Sequence, residues 1–171
     1  KDLNAALRDS IGNPDAPIKL IEYGSLTCPA CAAFSVEGAA PLHAEYIESG
    51  RVSYELRSFM IHGVVDLLLT RLLECAPATA AVPLADQVWA NLDAITGGVQ
   101  ANGAAVEAAL QLPENQRFAA AAEAGGLTAF FAARGISADL SRQCLADSAA
   151  AEALAEKTQA AADGDEVTGT P

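Results

Sequence analysis

The sequence predicts an α/β fold in which a strand–helix–strand unit is interrupted by a large all-helical insertion. Three observations lead there. Residues 18–59 run as strand, turn, helix and strand, the order of a βαβ unit. From about residue 64 to residue 163 alanine dominates, apolar residues recur at helical spacing and no segment reads as a strand. Val167-Thr168-Gly169-Thr170-Pro171 then returns to an extended, turn-like pattern. The boundaries expected on this basis are 1–60, 61–163 for the helical insertion, and 164–171.

Taken in order, residues 1–10 read as a short amphipathic arm, with Leu3 and Leu7 on one face. Gly12-Asn13-Pro14-Asp15 is turn chemistry, and Pro17 opens an extended segment. Residues 18–23 are rich in β-branched and aromatic types and end at Gly24, which predicts a strand. Their near-continuous apolar character suggests an interior strand covered on both faces, with Glu22 the odd residue in it. After Ser25-Leu26-Thr27 comes Cys28-Pro29-Ala30-Cys31, then a helix to about Ser49. Pro29 falls in the first turn, where proline is tolerated, whereas Pro41 lies inside the helix and should kink it. Gly50 ends that helix, and residues 52–59 alternate well enough for a second strand.

In the insertion, helices are expected near 64–76, 83–95, 104–112, 113–124, 127–133, 138–146 and 149–162. Breaks are expected at Gly97-Gly98, Gly125-Gly126 and Gly135, and Ser137 is placed to cap the helix that carries Cys144.

Composition narrows the function classes. The 171 residues are 51% hydrophobic and 19% charged, which implies a buried core rather than disorder. There are ten Lys+Arg against 22 Asp+Glu, a net charge of −12, which argues against nucleic acid and anionic membrane surfaces as partners. No uninterrupted apolar run reaches the roughly eighteen residues of a membrane span, so the chain is not expected to be membrane-embedded. Lys1 is not a start methionine, and a signal peptide is expected to have been removed.

The C-x-x-C pair has two common uses. In redox chemistry the first thiol sits at a helix N-terminus, where free N–H groups and the macrodipole stabilise a thiolate. The second thiol, one turn deeper, can then resolve a mixed disulfide. A zinc site instead normally needs a second such pair or a histidine pair. Cys75 and Cys144 lie far apart without neighbouring ligands, and His43 and His62 each stand alone. The strand-before, helix-after setting favours redox over metal, and neither a metal nor another cofactor is expected. His43 and His62 read as surface or packing residues, and Trp89 as helical core.

Glu22 through Cys31, with Val167-Thr168-Gly169-Thr170-Pro171 after the helical insertion, resembles the DsbA family of thioredoxin-fold thiol:disulfide oxidoreductases. Leu56-Arg57-Ser58-Phe59 through Cys75, and Cys144-Leu145-Ala146-Asp147, resemble its bacterial members. The resemblance implies a thioredoxin-like fold whose helical insertion caps the redox site. It implies Cys28 as the nucleophile, Cys31 as the resolving thiol, and Pro171 as a cis-proline that exposes the Thr170 backbone to substrate. Pro29 and Ala30 would flank the substrate as well. Glu22 matches the family's buried acid; without a partner it would have a raised pKa and exchange a proton with Cys31. A Glu facing solvent at a strand end is the plainer alternative.

Ala30 departs from the Pro-His dipeptide common between the cysteines of oxidising members. It offers Cys28 neither charge nor a side-chain donor, so a higher Cys28 pKa and a weaker oxidant are expected than in the strongest of them. The plain reading of Cys75 and Cys144 is two inert buried thiols; the sharper one, favoured over it, is a second, structural disulfide, which some relatives have.

The implied activity is disulfide introduction into thiol-containing exported polypeptides in the bacterial periplasm, with a quinone-linked membrane partner as reoxidant. The alternatives are a reductase or isomerase of the same fold, and a redox-silent binding module that uses the helical cap. A thioredoxin sheet should continue beyond the Pro171 motif, so C-terminal strands and a helix are expected to be missing after it, leaving the 18–23 strand an unpaired edge.

Overall fold

In a computed structural model of the protein, residues 10–171 are described. The arm expected in residues 1–10 lies, apart from Ser10, outside them. The chain opens with β1 (Ser10–Gly12) and β2 (Ile18–Gly24), followed by α1 (Pro29–Glu37) and a single turn, α2 (Ala39–Pro41). A π-helical segment (Leu42–Ile47) leads into β3 (Val52–Ser58). The three strands stand in the order β1-β3-β2. β2 and β3 run parallel, from Ile18 opposite Val52 to Gly24 opposite Ser58, while β1 pairs antiparallel with β3. A parallel pair needs a crossover, and α1 with the π-helical segment provides it.

β2 is not the doubly covered interior strand its composition suggests. Among the described residues β3 is its sole strand partner, and Ile18, Leu20 and Ile21 are exposed. Burial begins at Glu22, where β2 reaches the site. The apolar run reports the propensity of the strand; what covers its face is decided by elements remote in sequence.

The helix expected to run to Ser49 is interrupted. Pro41 has no N–H to give to a carbonyl four residues back, so α1 closes at Gly38 and the chain beyond Pro41 widens to π geometry.

The helical part comprises α3 (Gly63–Glu74), a 3₁₀ turn (Ala78–Ala80), α4 (Ala81–Ala90) and α5 (Leu92–Ala101), then α6 (Gly103–Leu110) and α7 (Glu114–Ala124). It continues through α8 (Leu127–Ala132) and α9 (Ala138–Leu145) to α10 (Ser148–Gly164). The break expected at Gly97-Gly98 does not occur, since both glycines lie inside α5. The chain breaks at Asn91 instead, where the amide Nδ2 donates to the Gln87 carbonyl at 2.8 Å. A helix tolerates interior glycine at about 1 kcal/mol each, and a Cβ at Gly98 would stand 3.8 Å from the Gly125 carbonyl, in ordinary van der Waals contact. Ser137 caps α9 as expected, its hydroxyl accepting from the Leu140 N–H at 3.2 Å, and Asp147 caps α10 in the same way.

Leu68, Leu69, Leu72 and Leu73 turn α3 into the centre of the core, packed with Val88, Trp89, Leu127 and Phe131. The end of α10 is tied back to the sheet. Tyr23 donates its hydroxyl hydrogen to Asp165, Arg57 Nη1 donates to the Tyr23 oxygen at 2.9 Å, and Arg57 lies 3.8 Å from Asp165.

Candidate active site

The site forms where β2 ends. The loop Ser25-Leu26-Thr27 is fixed from below by Asp66, fully buried in the first turns of α3. The Asp66 carboxylate accepts from the Ser25 hydroxyl at 2.6 Å, the Leu26 N–H at 3.2 Å and the Ile61 N–H at 2.9 Å. Thr27 adds a 2.8 Å hydrogen bond to His62 Nδ1, and Trp89 Nε1 donates to the Ser25 carbonyl at 2.9 Å. His62 is thus a neighbour of the site. Asp66 is the organising residue that sequence reasoning missed; its signal was a single acid within the most apolar stretch of the chain.

Held in this way, Cys28 is the N-cap of α1, with Pro29 in the first turn and Cys31 one turn in. Cys28 is 5% exposed and Cys31 is fully buried, whereas Pro29 and Ala30 are exposed beside them. Both cysteines are free thiols. The returning chain brings Thr170 and Pro171 alongside, joined by a cis peptide bond, and Cys28 Sγ lies 3.6 Å from the Thr170 carbonyl oxygen.

The two thiols are electrostatically unequal. Burial alone would push Cys28 up, but Thr170, the Cys31 N–H and thiol, and the Ala30 N–H together bring it below its ordinary value. The backbone donors of the first helical turn thus supply part of what a side chain at position 30 does not. Burial pushes the Cys31 thiol up to about 12; the Ser25 backbone opposes this, and the neighbouring Cys28 reinforces it.

Glu22 projects from β2 beneath the pair and is 8% exposed. It is not the partnerless acid that the sequence suggested. The Tyr54 hydroxyl on β3 donates to Oε2 at 2.6 Å, while Oε1 is buried without a hydrogen-bond partner. Burial raises its pKa, the Tyr54 hydrogen bond and the neighbouring Cys31 thiol oppose this, and the Asp86 carboxylate adds to the rise. Tyr54 and Asp86 are further site residues with no local motif to announce them.

Cys75 and Cys144 are joined in a disulfide with Cα atoms 6.2 Å apart, linking the end of α3 to α9. Arg71 lies beside it, donating to the Cys144 carbonyl at 3.0 Å and pairing with Glu74. No described helix is long and apolar enough to cross a membrane.

A dithiol at the first turn of the helix that follows a parallel strand, with a buried resolving thiol and a buried acid behind it, defines the thioredoxin-fold dithiol proteins. The Thioredoxin family model matches residues 8–171, and the chain belongs to that family. Within it, the resemblance to DsbA-like proteins holds across sequence and structure. The probable disulfide bond formation protein D of Bacillus cereus is 38% identical over 56 residues, covering 33% of this chain and 26% of that protein. The chain therefore matches about a quarter of the length of that curated relative. Protein-disulfide isomerase from Novosphingobium aromaticivorans superposes with a TM-score of 0.84 at 27% identity, over 95% of this chain and 83% of that one. Wolbachia pipientis alpha-DsbA1 shares the fold, with a TM-score of 0.73 at 22% identity, over 95% and 71% of the two chains.

Proposed function

We propose that the protein is a thiol–disulfide oxidoreductase that introduces disulfides into exported, thiol-containing polypeptides in the bacterial periplasm. The inequality of the two thiols carries this reading: an accessible edge of a stabilised Cys28 above a fully buried Cys31. In the oxidised enzyme a substrate thiolate attacks Cys28 Sγ, the Cys28–Cys31 bond breaks, and its electron pair passes to Cys31. Cys31 takes a proton, for which Glu22 is the nearest acid. A second substrate thiolate then attacks its own mixed-disulfide sulfur and expels Cys28 as a thiolate. Stabilising that thiolate favours the reduced enzyme and hence oxidation of the substrate. Thr170 and Pro171, with Pro29 and Ala30, form the rim on which the substrate backbone lies. A quinone-linked membrane protein is the reoxidant this cycle calls for. Residues 1–60 and 164–171 serve as the redox domain, and 61–163 as its helical cap.

A reductase or isomerase of the same fold is the second reading, favoured by the name of the Novosphingobium aromaticivorans neighbour. Equilibration with glutathione separates the two. A potential well above glutathione's, in the range of about −120 to −180 mV, is the expected result, and a value near about −270 mV overturns the oxidase reading. Cys31→Ala should accumulate a substrate–Cys28 mixed disulfide that Cys28→Ala cannot form. Failure of Cys28 to react with an alkylating reagent at pH 6 would leave the redox-silent binding module.

A further inference from the structure

Between the sheet, α1 and α4 is a cavity no larger than about one water molecule. Its wall brings together Glu22 from β2, Tyr54 from β3, Ser35 from α1, His43 from the π-helical segment and Asp86 from α4. Among the described residues, Glu22, Tyr54, His43 and Asp86 are its titratable lining, and Trp89 and Val82 close the α4 side. Asp86 accepts from the Ser35 hydroxyl at 2.6 Å, so its carboxyl group is oriented by the same helix that carries Cys28 and Cys31. Glu22 Oε1 has no hydrogen-bond partner, and Tyr54 binds the other oxygen. The two carboxyl groups therefore share one low-dielectric space with a single basic side chain, His43, facing Asp86.

We propose that Asp86, supplied by the helical part of the molecule, is a positioning residue that keeps Glu22 in the acid form that exchanges a proton with Cys31. The proposal rests on the oxidoreductase reading above. Burial raises Asp86, while the Ser35 hydroxyl and His43 oppose this and favour its carboxylate; a negative charge there, across the cavity, disfavours a second one at Glu22. The balance of the step is simple. As Cys31 leaves the disulfide with the S–S electron pair, the Glu22 proton passes to its sulfur, giving a thiol and a carboxylate. That carboxylate now stands opposite Asp86, and their repulsion drives Glu22 to recover a proton from solvent before the next turnover. Burial raises Glu22 as well, and Tyr54 and Cys31 oppose it, so Asp86 contributes one part of the whole.

The test is the ionisation of Glu22, followed through its carboxyl carbon by NMR on the reduced, full chain. Asp86→Asn keeps an oxygen for Ser35 and removes the charge. A downward displacement of the Glu22 midpoint, with a fall in the rate of disulfide reduction at pH 7 of about threefold or more, is expected. An unmoved midpoint overturns the proposal. Should the variant not fold, the unaltered protein still decides. Glu22 and Asp86 must titrate as a coupled pair with two-step curves, and independent single-step curves overturn the proposal. Failure of the oxidoreductase reading would show separately, as an unaltered protein that oxidises no dithiol peptide while Glu22 still responds to Asp86.

Discussion

A buried carboxyl group costs free energy whenever it ionises; Tyr54 binds one Glu22 oxygen, and the other is buried without a hydrogen-bond partner among the described residues. Its folded pKa is raised above the ordinary 4.5, chiefly by burial. The folded protein then holds a proton that the unfolded chain has released. The stability this group contributes is fully present below about pH 4.5 and is lost as pH rises through the folded value. Asp86, also raised by burial, acts with the same sign. Glu22→Gln keeps an oxygen for Tyr54 and removes the ionisation. It should therefore have a higher urea midpoint than the parent at pH 7, with the difference closing as pH approaches 4. The same variant should lose the proton donor to Cys31 and react more slowly while standing firmer. A Glu22→Gln variant less stable than its parent at both pH values would mean that burying an unpartnered amide NH2 in place of Oε1 costs more than the buried charge.

The helices that follow β3 are held by a different device. The Cys75–Cys144 disulfide joins α3 to α9 across a sequence separation of 69 residues. A loop of that length gives about 4 kcal/mol in the chain-entropy model. Replacing both cysteines by alanine should lower the unfolding free energy by roughly that amount, read in guanidinium titrations, and leave dithiol exchange at Cys28 intact. A loss below about 1 kcal/mol would show that α3 and α9 are held by packing and by Arg71 instead.

Most of these elements were legible in the sequence because Leu and Phe spacing within an alanine background fixes a helical face locally. α7, α8 and α9 fall within two residues of expectation. The α4–α5 boundary was not legible. A Gly-Gly pair looks like a break, yet both glycines lie inside α5. β1 escaped as well, since Ser10-Ile11-Gly12 is too short for a period and becomes a strand only by pairing with β3. The site divides in the same way. Cys28, Cys31 and Glu22 stand within ten residues of one another, while Asp66, Tyr54 and Asp86 arrive from three other elements.

At the scale of the whole molecule, charge is the property that reaches furthest into solution. The net charge is −12, and much of the basic complement is tied up: Arg57 with Glu55, Arg71 and Lys157 with Glu74, Arg142 with Asp139. The rim of the dithiol, by contrast, is Pro29, Ala30, Thr170 and Pro171, none of them charged. An approaching substrate therefore meets the field of the molecule and little local correction to it. A negative field raises the local concentration of cationic partners and lowers that of anionic ones, within a screening length of about 10 Å at 0.1 M salt. Two dithiol peptides matched except for flanking lysines or glutamates should reveal this. At about 10 mM ionic strength the cationic peptide should be oxidised about tenfold faster, and by about 0.5 M the two rates should lie within about twofold. Stopped-flow measurement of the Cys28–Cys31 disulfide reacting with each peptide gives both rates directly. A preference that salt does not erase would place the selectivity in contacts at the rim, and a preference for the anionic peptide would remove the molecular field from any part in choosing substrates.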